Sequence, residues 1–192
     1  MSLNTGRLAY WRLKFRARAL LVLARREAAL DVFSAMLSVW PDDAYALGSR
    51  ACLHSQLGLI DAALADAQAL TQAHPQRGAA DWFNLAYLLG DAGRHADAEP
   101  TFRKAIALDP QLDRAWYGLA LTLIRLQRFD EAIAALKRNT ELQPMCPYGW
   151  VQLARVQFDR QNLDEARTII RHLKGFEPEV AGQLERETGL VA

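Results

Sequence analysis

The chain has few cysteines, and their positions exclude a disulfide framework. Only Cys52 and Cys146 occur among 192 residues, and neither has a second cysteine close to it in sequence. Redox and zinc motifs need closely spaced pairs, and small secreted scaffolds need several bridges. The sequence therefore predicts reduced thiols, as is typical of a cytoplasmic protein.

Long apolar runs are also missing. The longest purely apolar run near the start covers residues 19–24, and Arg25-Arg26 ends it without the small-residue site of a signal peptide. A membrane-spanning helix needs about 20 predominantly apolar residues. We therefore expect neither a transmembrane segment nor secretion.

Motifs that carry catalysis or hold cofactors are absent from the sequence. The four histidines are scattered, at His54, His74, His95 and His172. None stands in an HExxH spacing or beside a cysteine that could share a metal with it. No glycine-rich phosphate loop occurs either. We predict a protein that is not an enzyme and that needs no cofactor or metal.

Charge is balanced overall but unevenly distributed. The formal net charge is +1, yet residues 1–30 carry seven basic side chains against one acidic, and the remaining chain has 16 basic and 21 acidic residues. A basic segment attracts an acidic protein, a membrane surface or a nucleic acid. The acidic remainder disfavours nucleic acid. Docking on a membrane surface or an acidic partner through the basic first helix therefore stands as an alternative function, and a solvated helix face is the simpler interpretation.

Proline recurs at a nearly fixed interval. Pro41, Pro75, Pro110, Pro144 and Pro178 are separated by 34, 35, 34 and 34 residues, which is typical of a repeat array. Alignment on these prolines gives five repeats with Gly78 as an insertion, at 10–43, 44–77, 79–112, 113–146 and 147–180. Residues 1–9 are then an extension or the start of the first helix, and residues 181–192 are expected to form a C-terminal cap.

Two columns of this alignment consist of alanine alone. They are Ala17, Ala51, Ala86, Ala120 and Ala154 at the eighth position, and Ala29, Ala63, Ala98, Ala132 and Ala166 at the twentieth. Each repeat also has two apolar runs at helical spacing with a polar or glycine break between them, as in WYGLALTLIRL followed by FDEAIAAL. We expect two amphipathic helices per repeat that cross at the alanines, where a methyl group lets the backbones come close.

This pattern resembles the tetratricopeptide repeat family, whose repeat of about 34 residues has small, aromatic and proline residues in this order. The resemblance covers residues 10–180 and is strongest in AADWFNLAYLLGDAGRHADAEPTFRKAIALDP and DRAWYGLALTLIRLQRFDEAIAALKRNTELQP. It implies an all-α fold, a right-handed superhelical solenoid of helix-turn-helix repeats. Three features depart from the pattern. The first repeat lacks the turn glycine, Arg16 and Arg50 stand in an apolar column, and Asn139 replaces the usual small residue at the twenty-seventh position.

The resemblance also implies that the first helix of each repeat lines a concave groove that binds a peptide or a helix. At the facing positions the chain carries aromatic residues, cations and one asparagine: Trp11, Lys14, Arg18, Tyr45, Phe83, Asn84, Tyr87, Arg114, Tyr117, Arg125, Tyr148 and Arg155. Aromatic residues and arginine dominate binding hot spots. We predict a protein-interaction scaffold or adaptor whose partner is a protein or peptide segment that is apolar with acidic groups. Packing between neighbouring first helices is the alternative role for several of these aromatics, and the sequence leaves a homodimer open.

Overall fold

The structure, a computed structural model, describes residues 3–191, with side chains from residue 6 onward. Within that range the regular elements are eleven α-helices. They are α1 (Leu3–Val22), α2 (Arg26–Val39), α3 (Ala44–Gln56), α4 (Ile60–Ala73), α5 (Ala79–Asp91), α6 (His95–Leu108), α7 (Asp113–Arg125), α8 (Phe129–Leu142), α9 (Pro147–Asp159), α10 (Leu163–Lys174) and α11 (Pro178–Thr188). The all-α fold expected from the helical spacing is confirmed.

The chain forms two compact units, Met1–Ala92 and Gly93–Ala192. The N-terminal unit contains α1 to α5, and the C-terminal unit contains α6 to α11. Within each unit every helix packs against the next one along the chain, and α11 also touches α9. Such nearest-neighbour packing is how repeat arrays build a core, because one helix pair cannot bury its apolar face alone.

The core of both units is built around the two alanine columns. All ten of these alanines are buried: nine have no exposed surface, and the tenth, Ala51, shows 7% of its surface. Large side chains fill the space beside them: Phe33 and Met36 in the N-terminal unit, and Leu119, Leu136 and Ile170 in the C-terminal unit. The small residues therefore permit close backbone approach, and their large neighbours provide most of the apolar burial.

The turn between the two helices of each repeat contains one residue with a left-handed backbone. Its φ is 54° at Ala24, 73° at Gly58, 74° at Gly93, 59° at Gln127 and 63° at Gln161. Glycine adopts this conformation freely, whereas a residue with a β-carbon is strained there by about 1–2 kcal/mol. The sequence marks the turn by glycine in two repeats, and the other three reach the same geometry without it.

Tryptophan side chains tie the first helices of three repeats to the preceding proline. The indole Nε1 of Trp82 donates to the carbonyl oxygen of Pro75 at 3.0 Å. Trp116 donates to Pro110 at 3.0 Å and Trp150 to Pro144 at 2.9 Å in the same way. Pro75, Pro110 and Pro144 therefore do more than end a helix, because the carbonyl of each anchors the next one. Pro178 differs, since it is the first residue of α11.

The two arginines of the apolar column have different environments. Arg16 lies on the exposed side of α1. Arg50 of α3 is half-buried and forms a two-pronged ion pair with Asp66 of α4, with Nη2 at 2.6 Å from Oδ1 and Nε at 2.8 Å from Oδ2. Burying a charge without a partner costs several kcal/mol, so Asp66 explains how this column accepts an arginine.

Candidate functional site

The N-terminal unit contains a cavity of about 340 Å³ between α3 and α5, with α4 beneath it. Its apolar lining comes from all three helices: Ala51, Ala67, Leu70, Phe83, Tyr87 and Leu88. Its polar lining comes from α3 and α5, mainly from Ser55, Gln56 and Asn84. Small residues create this space, because Gly48 has no side chain and Ala51 has only a methyl group.

A second cavity of about 530 Å³ extends from this one toward the end of α1. It is lined by Leu21, Tyr45, Ser49 and Arg77 among others, and five residues line both cavities: Gly48, Cys52, Gln56, Asp81 and Asn84. The shared lining makes the two cavities one continuous concave surface on the first helices of the unit. We call this surface, defined by the residues that line the two cavities, the N-unit groove.

The first cavity of the N-unit groove has an aromatic wall. The rings of Phe83 and Tyr87, one turn apart on α5, lie 6.5 Å apart between centroids and are tilted by 33°. Tyr87 is 58% exposed, so most of its ring is accessible to a ligand. Below this wall Arg77 holds both carboxylate oxygens of Asp81 at 2.8 Å. A large apolar side chain can enter the space beside the wall and meet amide and hydroxyl groups at the rim, as in ordinary ligand sites.

An aromatic cluster adjoins the N-unit groove at Tyr45. The ammonium of Lys14 lies 4.5 Å from the ring centroid of Tyr45, 5.3 Å from that of Trp11 and 5.4 Å from that of Tyr10. These are cation–π distances, and they join α1 to α3. Burial raises the pKa of Tyr10, and its hydrogen bond and charge interaction with Asp43 raise it further, so its hydroxyl stays protonated. Lys14 is therefore engaged within the protein.

The predicted residues of the C-terminal unit lie on α7 and α9. Tyr117 is half-buried, and burial raises its pKa, while a hydrogen bond with Gln152 and the charge of Arg155 act in the opposite direction. Tyr148 is 69% exposed. Arg155 is held by Glu187 of α11, with Nη2 at 2.8 Å from Oε2, and its hydrogen bond lowers the pKa of that carboxylate. Arg155 therefore braces α11 against α9 and is not a free cation.

The remaining predicted cations are exposed. Arg18 lies on α1, Arg114 on the first turn of α7 and Arg125 at its last residue, where a positive charge meets the negative end of the helix dipole. Of the predicted set, the N-unit groove brings together Tyr45, Phe83, Asn84 and Tyr87 along its lining. Lys14 contacts the ring of Tyr45, and Trp11 contacts Lys14. The five predicted residues of the C-terminal unit lie on α7 and α9 and are not among the residues that line this groove.

Sequence reasoning based on hot-spot composition passed over several residues that line the N-unit groove. Gly48, Cys52, Ser55 and Gln56 stand at the same facing positions of α3 but are small or uncharged. Asp81 lies outside those positions. The repeat alignment was a sufficient signal for the first four, whereas only the packing of α3 on α4 shows that a cavity forms beside them.

The described residues offer no set of three or more His, Cys, Asp or Glu side chains that could hold a metal ion. None of the helices in that range is both long enough and apolar enough to cross a bilayer. The N-unit groove itself has an apolar wall with hydrogen-bonding groups at its rim.

Three family models, each described as tetratricopeptide repeat, match residues 49–113, 91–151 and 147–172. Together they cover residues 49–172, and the helix pairs, buried alanines and boundary prolines of the structure agree with them. The chain belongs to the tetratricopeptide repeat family. No curated protein matches it in sequence. Proteins of this family are typically non-enzymatic, and the family supports a general role as a protein–protein interaction scaffold.

Solved structures with the tetratricopeptide repeat fold superpose closely on the chain. A crystal structure of MamA has a TM-score of 0.83 at 15% identity, over 96% of this chain and 97% of that one. YrrB has a TM-score of 0.79 at 16% identity, over 88% of each chain. A tetratricopeptide repeat protein from Parabacteroides merdae has a TM-score of 0.82 at 18% identity, over 95% of this chain and 74% of that one. At these identities the likeness shows the fold.

Proposed function

We propose that this tetratricopeptide repeat protein is a non-enzymatic cytoplasmic adaptor that binds an extended peptide or a helix of a partner protein in the N-unit groove. The observation that carries the proposal is the cavity beside the wall of Phe83 and the exposed Tyr87, which is continuous with the surface that reaches Tyr45. The solved structure of YrrB is described as that of a tetratricopeptide repeat protein with an unusual peptide-binding site, which supports a peptide ligand for this fold.

The lining of the N-unit groove suits a segment with one large apolar anchor. The cavity volume of about 340 Å³ lies at the lower end of the range of ligand pockets, enough for one or two side chains. Tyr87 offers ring surface that loses little conformational entropy on binding. Asn84, Ser55 and Gln56 can bond to the backbone of a peptide, as an extended ligand requires.

Acidic groups on the ligand would complement Arg26, the exposed first residue of α2, which lines the second cavity. Charges at the rim of an interface affect the association rate and the choice of partner more than the affinity. We therefore propose that the partner segment is apolar at its anchor and acidic beside it. Tyr117, Tyr148 and Arg125 are proposed as a further contact surface on the C-terminal unit.

The space above Gly48 gives a direct test of this proposal. A β-carbon there would lie 3.5 Å from Leu70 Cδ2, which is ordinary contact, so Gly48→Leu is expected to fold and to place its side chain in the cavity. Gly6→Leu is the matched control, because a β-carbon at Gly6 meets nothing within 4 Å and the site is on a helix away from the cavities. Both variants replace a helical glycine and gain helix propensity.

The probe is a displayed library of random peptides selected on the intact protein. We expect the selected peptides to carry an aromatic or large aliphatic residue next to acids. We also expect Gly48→Leu to weaken their binding at least about tenfold, as loss of about 1.4 kcal/mol would, while Gly6→Leu leaves it unchanged. Tyr87→Ala should cost about the same or more, as hot-spot aromatics do. Peptides that bind Gly48→Leu and Tyr87→Ala as well as the unchanged protein would overturn the groove assignment.

The alternative, docking on a membrane surface or an acidic partner through the basic first helix, uses a different face of the N-terminal unit. Variants at Gly48 and Tyr87 do not touch that face. The two functions can therefore be separated by experiment.

A further inference from the structure

Helix α1 has apolar residues on two opposite faces. Its inner face packs against the core of the N-terminal unit through Tyr10, Leu13, Ala17, Leu20 and Leu21. On its outer face large apolar side chains are exposed to solvent: Leu8 at 63%, Trp11 at 44%, Phe15 at 64% and Val22 at 86%. One exposed apolar residue is ordinary, but several adjacent ones mark an interaction surface.

The exposed apolar residues form one stripe. With about 3.6 residues per turn, Leu8, Trp11, Phe15 and Val22 fall on the same side of the helix, with Ala19 between them. The same geometry places exposed arginines along both edges: Arg7 and Arg18 on one edge, Arg12 and Arg16 on the other. The stripe runs along most of a helix of 20 residues, about 30 Å long. We call it, with its flanking arginines, the α1 outer face.

The arginines of the α1 outer face are not neutralised within the described part of the chain. Arg7, Arg12, Arg16 and Arg18 form no ion pair there, whereas nine arginines elsewhere each pair with a carboxylate. The reason lies in the sequence, because no acidic residue precedes Glu27. The α1 outer face therefore presents apolar side chains and uncompensated positive charge together.

A second copy of the same face is a poor occupant. Two α1 outer faces in contact would bring arginines against arginines along both edges, with no carboxylate on either helix to separate them, and like charges at an interface cost several kcal/mol. A protein partner would need acidic groups on both sides of an apolar strip. An anionic bilayer meets the requirement without any special sequence, because its phosphates surround whatever apolar side chains enter it.

We propose that the α1 outer face binds an anionic membrane surface, with the helix lying in the plane of the interface. Trp11, Phe15, Leu8 and Val22 would enter the boundary between headgroups and acyl chains, while the arginines on both edges contact lipid phosphates. Apolar burial and attraction to anionic lipids together drive this mode of binding. The proposal concerns a surface other than the N-unit groove and does not depend on peptide binding there.

Vesicle flotation of the full chain tests the proposal. The probes are vesicles of phosphatidylcholine alone and vesicles of phosphatidylcholine and phosphatidylglycerol in equal parts. The protein is expected to float with the mixed vesicles and not with the neutral ones. Binding should fall strongly between about 0.1 and about 1 M salt, as the screening length shrinks from about 10 to about 3 Å.

Two variants separate the contributions of the stripe and of its edges. Leu8→Ser with Phe15→Ser removes apolar surface and keeps the charge, and Arg12→Glu with Arg16→Glu reverses two charges and keeps the stripe. Each pair is expected to weaken binding to the mixed vesicles at least about tenfold. For the arginine pair the reason is that each basic residue near an anionic surface contributes about a fivefold factor. For the Leu8 and Phe15 pair the reason is the loss of the apolar burial that drives insertion. All four positions are exposed, so folding should be preserved and is checked by circular dichroism.

The matched control is Lys137→Glu with Arg171→Glu, two exposed cations of the C-terminal unit without an ion pair among the described residues. It changes the net charge as much as the arginine variant does and should leave vesicle binding within about twofold of the unchanged protein, because it alters neither the stripe nor the arginines of the α1 outer face. A control that weakens binding as much as the arginine variant would overturn the assignment to α1.

The other occupants appear as distinct outcomes, and each of them overturns the proposal. Absence of flotation with the mixed vesicles excludes a membrane ligand. If sedimentation then shows a dimer that Leu8→Ser with Phe15→Ser abolishes, a second copy covers the stripe. If the protein stays monomeric, an acidic protein remains the candidate.

Discussion

The side-chain amide of Asn139 in α8 occupies the space where a β-carbon on Gly149 of α9 would lie. Asn139 is buried, and its Nδ2 donates to the carbonyl oxygen of Asp113 at 3.0 Å. A β-carbon at Gly149 would also approach Thr140 Cγ2 to 3.1 Å. Asn139 stands at a position where the family has a small residue, and Gly149 on the next helix makes room for it because glycine has no side chain.

This relationship predicts that Gly149→Ala destabilises the C-terminal unit even though alanine favours a helix. The β-carbon would displace Asn139 and weaken its buried hydrogen bond, at a cost of about 2 kcal/mol. Asn139→Ala together with Gly149→Ala should recover most of that loss, because the alanine pair fits the space. Urea unfolding followed by circular dichroism measures both effects.

Gly90→Ala is the control for this prediction. A β-carbon at Gly90 meets nothing within 4 Å, so that change is expected to be neutral or to stabilise by up to about 1 kcal/mol. If Gly149→Ala behaves like Gly90→Ala, the packing of Asn139 against Gly149 does not limit the sequence at this position.

The turn residue Gln127 predicts a stabilising substitution. Its φ of 59° is left-handed, so Gln127→Gly should relieve strain and raise the free energy of unfolding by about 1 kcal/mol. Gly58→Ala, at the matching turn of another repeat, should lower it by a similar amount. Gln111→Gly, in a loop without positive φ, is the matched control and is expected to destabilise slightly. A gain at Gln111 equal to that at Gln127 would refute the strain explanation.

The ion pair of Arg50 and Asp66 predicts a strongly non-additive pair of substitutions. Asp66→Leu leaves the half-buried guanidinium without its partner and is expected to cost about 3 kcal/mol. Arg50→Leu together with Asp66→Leu should return to near the original stability, because other repeats carry Leu85, Leu119 and Leu153 in the same column. A double-mutant cycle in urea unfolding measures the coupling.

An exposed pair serves as the comparison for this cycle. Arg94 and Asp97 also form an ion pair, but both side chains are about half exposed, so Asp97→Leu should change stability by less than about 1 kcal/mol. Equal costs at Asp66 and Asp97 would show that burial does not control the strength of the first pair.

The contact between Arg155 and Glu187 predicts a pH dependence for the docking of α11. The hydrogen bond from Arg155 lowers the pKa of Glu187 in the folded state. A carboxylate with a lowered folded pKa contributes stability above its unfolded pKa, and that contribution is lost as the pH falls through the folded pKa. Glu187→Gln should therefore lower the urea midpoint at neutral pH and have a smaller effect in acid.

Glu179→Gln controls for the change in net charge, because Glu179 lies on the same helix without an ion pair among the described residues. Its effect on the urea midpoint should be small at neutral pH. If Glu187→Gln lowers the urea midpoint by the same amount at neutral and at acid pH, the assigned role of the ion pair is contradicted.

The repeat architecture could be predicted from the sequence because its causes are local and periodic. The boundary prolines and the alanine columns depend on helix ends and helix crossings, and both leave a spacing that can be counted. The partner of Arg50 could not be predicted this way, since Asp66 is an ordinary charged residue until α3 packs on α4. The same holds for Glu187, which meets Arg155 only because α11 packs on α9.

The candidate site was partly accessible to the same reasoning. Helical periodicity places Phe83, Asn84 and Tyr87 on one face of α5, and the structure has all three lining the cavity. The volume of the cavity depends on Gly48, Ala51 and Ala67, whose smallness is informative only after the helices are packed. A search for hot-spot residue types therefore selects the walls of the N-unit groove and misses its floor.

The most direct measurement of the central claim is the alkylation rate of Cys52 in the presence of a selected peptide. Cys52 lines both cavities and is exposed, and Cys146 in the C-terminal unit is partly exposed and serves as an internal control. At a peptide concentration about ten times its Kd, a site that the peptide covers is free for only about one part in eleven of the time. We expect alkylation of Cys52 to slow about tenfold while that of Cys146 stays constant. If the bound peptide leaves the Cys52 rate unchanged, the peptide does not lie in the N-unit groove.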